Sequence, residues 1–131
     1  MVARDAYILV VDDDPEVLNL VSMRLEEAGY RVTTATDAWQ QVVQAQGLKI
    51  GLIICDIQMP GVGTGADAVR HLRKLTTVSP LLPVIFITGM KLEDARRMIP
   101  DDPKIRLIGK PIDFKQLRGL IKELTGIDRP L

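Results

Sequence analysis

Five short apolar runs, each followed by a stretch with helical spacing, constrain this chain more than any other feature. The runs are Tyr7-Ile8-Leu9-Val10-Val11, Arg31-Val32-Thr33-Thr34-Ala35, Gly51-Leu52-Ile53-Ile54-Cys55, Pro83-Val84-Ile85-Phe86-Ile87 and Lys104-Ile105-Arg106-Leu107-Ile108. Continuous apolar runs suit parallel strands covered on both faces, whereas strands with one wet face alternate. The second run is more polar and reads as a weaker strand.

Between the runs, apolar residues fall three and four apart. Leu18, Val21, Leu25 and Ala28 mark a first helix, started by Asp14 before Pro15 and stopped by Gly29. Trp39, Val42, Val43 and Gln46 mark a second, ended near Gly47. Ala66, Val69 and Leu72 mark a third. Leu92, Ala95 and Ile99 mark a short fourth, stopped by Pro100. Phe114, Leu117, Leu120, Ile121 and Leu124 mark a fifth, with Asp113 as its cap. Five strands alternating with five helices call for a parallel sheet with right-handed crossovers and helices on both faces. One domain accounts for 131 residues, with the chain ends expected to fray.

The bulk numbers close off other classes. Hydrophobic residues make up 47% and charged residues 26%, a globular composition. Seventeen basic residues balance seventeen acidic ones, which disfavours direct nucleic-acid binding by bulk charge. The single cysteine, Cys55, excludes an internal disulfide and a cysteine metal cluster, and its apolar run reads as a buried position. No run approaches the roughly twenty apolar residues of a membrane span. The first apolar run is too short for a signal peptide, so a cytoplasmic location is expected.

Reactive side chains recur where the runs end. Asp12, Asp13 and Asp14 follow the first, Asp56 the third, Thr88 the fourth and Lys110 the fifth. In an open parallel sheet the functional crevice lies at the carboxyl ends of the strands, at the switch point of the strand order. With strand order 2-1-3-4-5, strands one and three are neighbours. Asp12, Asp13 and Asp56 would then meet, flanked by Thr88 and Lys110. Carboxylates gathered in one crevice repel unless a cation sits among them. Oxygen donors without histidine or cysteine favour Mg2+ or Mn2+ over zinc. Lysine, hydroxyl, metal and an oxygen nucleophile together are the parts for phosphoryl transfer. Asp14 reads as a helix cap, and His71, beside Arg70 and Arg73, as exposed.

Val11-Asp12-Asp13-Asp14-Pro15, Asp56-Ile57-Gln58-Met59-Pro60-Gly61, Thr88-Gly89 and Lys110-Pro111 resemble the four signature stretches of response-regulator receiver domains. Each stretch alone is weak; all four at matching strand ends are specific. The resemblance spans residues 5 to 126, leaving 1–4 and 127–131 as flexible ends. It implies an α/β, flavodoxin-like, doubly wound sheet of five parallel strands. It also implies Asp56 as phosphoacceptor, with magnesium held by Asp12, Asp13, Asp56 and the main-chain carbonyl of Gln58. Thr88 and Lys110 would hold the phosphoryl oxygens, and Lys110-Pro111 would be a cis peptide. The implied partners are a histidine kinase or histidine phosphotransfer protein, and an output protein or effector domain outside this sequence. Catalysis would be limited to self-phosphorylation and self-dephosphorylation at Asp56.

The sequence departs from the family in places. Leu107 stands where the switch aromatic usually lies, three residues before the lysine. Ile99-Pro100-Asp101-Asp102-Pro103 replaces a stretch usually rich in glycine and alanine. The loop after Pro60 is one residue longer than common, with Gly61, Gly63 and Gly65 making it mobile. Two rival readings remain. A haloacid-dehalogenase-like phosphatase could use Asp12 and Asp14, but its lysine should precede the late acidic pair, and here Asp101 and Asp102 precede Lys110. A phosphorylation-independent interaction module on the same fold is the other.

Overall fold

The computed structural model describes residues 6–58 and 64–131, with only the backbone of Trp39. Met59 to Gly63, including Gly61 and Gly63 of the expected mobile loop, lie outside the described residues, as do Met1 to Asp5 and the Trp39 side chain. The chain alternates β1 (Tyr7–Val11), α1 (Pro15–Glu27), β2 (Arg31–Ala35), α2 (Ala38–Gly47), β3 (Ile50–Asp56), α3 (Gly65–Arg73), β4 (Val84–Thr88), α4 (Leu92–Met98), β5 (Ile105–Gly109) and α5 (Phe114–Thr125). All pairings are parallel, in the order β2-β1-β3-β4-β5.

Alternate residues of each strand feed opposite layers. Ile8, Val10, Ile54, Ile85, Ile87 and Ile108 face α1 and α5, meeting Leu18, Val21, Leu25, Leu117, Ile121 and Leu124. Leu9, Val11, Ile53, Cys55, Val84 and Phe86 face α2, α3 and α4, meeting Val42, Val69, Leu72 and Ala95. With both faces covered, the inner strands need no polar alternation, which is why they read as unbroken apolar runs. The polar β2 is an edge strand, paired only with β1.

Local chemistry fixes the helix ends. Asp14 accepts from the Glu16 N–H at 2.9 Å, with Pro15 as the first helical residue. Gly29, at φ +95°, takes the left-handed turn after α1. Asp113 caps α5 through the Lys115 and Gln116 N–H groups.

Three sequence expectations need correction. In α2 the inward side carries Ala38, Gln41, Val42 and Ala45, while Val43 and Gln46 are exposed. The polar Gln41 was not legible as an inward residue. In α4 only Ala95 is buried; Leu92 is exposed and Ile99 lies beyond the helix end. Ile127–Leu131, expected as a flexible end, is tied down. Arg129 stacks 5.1 Å over the Tyr30 ring and donates to the Ala28 carbonyl, and Asp128 pairs with Arg118. Leu131 packs against the α1/α5 layer.

Candidate functional site

Strand register brings the acidic residues together. Val11 of β1 lies beside Cys55 of β3, so the next residues, Asp12 and Asp56, emerge side by side at the carboxyl edge. Asp56 pairs in turn with Ile87 of β4, and Thr88 with Gly109 of β5, so Thr88 and Lys110 flank the same edge. The Lys110 N–H donates to the Thr88 carbonyl at 2.7 Å, and the Lys110-Pro111 peptide is cis.

The Lys110 Nζ lies 2.9 Å from Asp56 Oδ2 and 3.0 Å from Asp12 Oδ2, bridging both carboxylates. Asp12 is fully buried, and Asp56 is nearly so. The Asp12 Oδ1 accepts from the Asp14 N–H, whereas Oδ2 has the ion contact with Lys110 but no aligned hydrogen bond. The Asp56 Oδ1 accepts from the Gln58 N–H at 3.1 Å. Asp13 is exposed at the mouth, and its carboxylate oxygen lies within 4.8 Å of those of Asp12 and Asp56. Thr88 is buried, its hydroxyl oxygen accepting from the Met90 N–H at 3.0 Å.

Burial is the largest influence on Asp56 and holds its carboxyl above the ordinary range; Lys110 offsets this only in part, and Asp12 adds to the rise. For Lys110 burial pulls downward, but the contacts with Asp56 and Asp12 outweigh it and the ammonium is held up. Asp56 carries two unfavourable influences, desolvation and a second carboxylate, against one cation. We take the cluster as short of positive charge.

That shortage tests the donor set. Three carboxylates of hard oxygen character, one with a buried oxygen lacking an aligned donor, suit a small divalent cation. Asp14 stands apart, exposed and capping α1, so the acid that the phosphatase alternative required is engaged elsewhere.

Sequence reasoning passed over a layer beneath Asp56. The Cys55 thiol, fully buried, lies 3.1 Å from the Asp56 carbonyl and 3.4 Å from the Gln41 Oε1. Burial first, then Asp56 and Asp12, push that thiol well up, so it stays protonated. No sequence signal pointed to Gln41, because a buried amide interrupts the apolar pattern of α2. Leu107, in place of an aromatic, is half-buried against the α2/α3/α4 layer.

A family model, the response regulator receiver domain, matches residues 8–122. The transcriptional regulatory protein GlrR of Escherichia coli is 33% identical, the match covering 97% of this chain and 28% of that protein. The sensor histidine kinase GacS of Pseudomonas protegens is 26% identical over 95% of this chain and 14% of that protein. Among solved structures, the receiver domain of sensor histidine kinase PA1611 from Pseudomonas aeruginosa, with magnesium coordinated in its active-site cleft, superposes with a TM-score of 0.82. It is 26% identical and the match covers 93% of this chain and 98% of that one. Vibrio cholerae chemotaxis protein CheY4 gives 0.80 at 27% identity, covering 91% and 98%.

The fold and acidic pocket are those of a signalling receiver of two-component systems. The chain belongs to the response-regulator receiver domain family. It spans about a third or less of the length of curated relatives such as GlrR and GacS.

Proposed function

We propose that Asp56 accepts a phosphoryl group from a phosphohistidine of a histidine kinase or phosphotransfer protein, and that the modified domain changes its affinity for an output partner. The observation that carries this is the Lys110 ammonium held between two buried carboxylates at the switch point of the sheet. A carboxylate oxygen of Asp56 attacks phosphorus, the P–N bond to the donor histidine breaks, and the imidazole leaves. Asp12, Asp13, Asp56 and the Gln58 main-chain carbonyl are the groups to hold Mg2+ or Mn2+. Such an ion supplies charge neutralisation for the phosphoryl oxygens. Lys110 and the Thr88 hydroxyl hold those oxygens from the other side. The receiver unit is assigned to residues 5–126, with catalysis limited to gain and hydrolysis of the acyl phosphate. No described helix is long and apolar enough to cross a membrane; the assigned location is cytoplasmic, where a kinase would meet it.

Incubation with magnesium and acetyl phosphate, followed by intact mass, tests the reading. One added phosphoryl group, labile to acid and base and lost in Asp56→Asn, is expected. Equal phosphorylation of Asp56→Asn refutes the assignment.

A further inference from the structure

Helix α3 begins against the Asp56 backbone. A Cβ on Gly65 would stand 2.1 Å from the Asp56 carbonyl oxygen and 2.6 Å from the Cys55 sulfur, so only glycine allows this approach. The Gly65 N–H donates to the Ile57 carbonyl at 2.9 Å. A capping box between Thr64 and Asp67 fixes the first turn. Ala66, Val69 and Leu72 are buried along the helix, so its nine residues, roughly 13 Å long, are held as one rod.

The far end of that rod carries two arginines with different tasks. Arg73 grips the frame: its Nε donates to Asp102 Oδ2 at 3.0 Å and its Nη2 to the Leu82 carbonyl at 2.5 Å. Asp102 is itself fixed at the entry to β5, its Oδ1 accepting from the Lys104 N–H and its carbonyl from the Ile105 N–H. Arg70 grips α4: its Nη2 donates to the carbonyl of Met98, the last residue of that helix, while its Nη1 meets Asp67. The last carbonyls of a helix lack intrahelical partners and attract cations. Helix α4 is otherwise lightly held, with seven residues, one buried side chain and no side-chain cap at its start.

We propose that α3 is a rigid coupler that passes the state of Asp56 to the carboxyl end of α4, with Arg73 as its fulcrum and Arg70 as its moving contact. The proposal rests on Asp56 being the phosphoacceptor. Phosphorylation draws the Asp56 main chain and oxygens toward a new set of partners, and the abutting start of α3 follows. Because Arg73 anchors α3 to the sheet, the displacement appears at Arg70 and tilts the lightly held α4. The Ile99–Pro103 segment, where this chain departs from its family, supplies the Asp102 anchor, so the departure and the coupler are one feature.

Arg70 is a positioning residue with an exposed side chain, and its pair with Asp67 adds little stability, so it can be removed without unfolding the domain. The test measures amide hydrogen exchange of residues 92–99, with and without acetyl phosphate and magnesium, in parent, Arg70→Ala and Arg70→Gln. Phosphoryl occupancy is followed by intact mass and folding by thermal melts. Equal occupancy in all three is expected, with the phosphorylation-dependent change in α4 exchange reduced at least fivefold in both variants and the change at 88–90 retained. An undiminished α4 response at equal occupancy overturns the coupler while leaving Asp56 as acceptor. A parent that takes up no phosphoryl group overturns the acceptor assignment and the coupler with it.

Discussion

Lys110 donates to Asp56 at 2.9 Å, yet the Asp56 carboxyl is held above its ordinary range. Burial and the neighbouring Asp12 outweigh the lysine, so folding raises the proton affinity of the Asp56 carboxyl. A folded-state value above the unfolded one means the contribution to stability is intact below the ordinary carboxylate range, about pH 3.9, and is lost as pH rises through the raised value. In EDTA at pH 7, Asp56→Asn should therefore melt above the parent. The difference should close below about pH 4. A variant that melts lower than the parent at neutral pH contradicts this electrostatic account.

A divalent cation should reverse the same deficit. Titrating magnesium from zero to tens of millimolar should raise the parent melting temperature, following the logarithm of concentration once binding begins. Asp13→Ala, at the exposed mouth, removes one ligand without opening the core, so it should leave the metal-free melt within about 0.5 kcal/mol of the parent. It should weaken the response to magnesium by on the order of tenfold in apparent affinity, about 1.4 kcal/mol. A parent indifferent to magnesium argues against the three-carboxylate site.

Gly65→Ala should cost about 1–3 kcal/mol in denaturant unfolding, because the new methyl meets backbone that cannot swing aside. Gly89→Ala is the control: nothing lies within 4 Å of a Cβ there. If the two variants unfold alike, the close approach of α3 to Asp56 is not a constraint.

Met90 follows the buried Thr88 by two residues, and its N–H is engaged by the Thr88 hydroxyl oxygen. An apolar side chain there offers no group to orient a hydrolytic water. Met90→Glu should shorten the life of the acyl phosphate by on the order of tenfold, about 1.4 kcal/mol of barrier. Loss of phosphoryl mass over time measures it, and an unchanged rate sinks the proposal. In paired structures with and without beryllofluoride, Leu107 should keep its packing while the segment around Met90 moves.

The fold was legible because both faces of the sheet are covered: Ile53 and Ile54, buried on opposite faces, make a run that no half-exposed strand would show. The site was legible for a related reason, since Asp12, Asp56, Thr88 and Lys110 each end an apolar run and strand order alone brings them together. Gln41 was opaque, because a buried amide breaks the apolar pattern that reveals an inward face, and its Oε1 meets a thiol fourteen residues away. The tail was opaque for another reason. Arg129 is held by a ring, Tyr30, and a main-chain oxygen, Ala28, about a hundred residues earlier, and no local pattern announces such a contact. The link from Arg70 to Met98 and from Arg73 to Asp102 likewise joins positions whose spacing carries no periodicity.

The hydrogen bond from Gly65 to the Ile57 carbonyl closes the base of the segment between β3 and α3. Whatever path residues 58–64 take, both feet are planted. Adding or removing a residue there changes the closure entropy only logarithmically, by roughly 0.1 kcal/mol at this size. A change in the length of that segment therefore leaves the start of α3 in place.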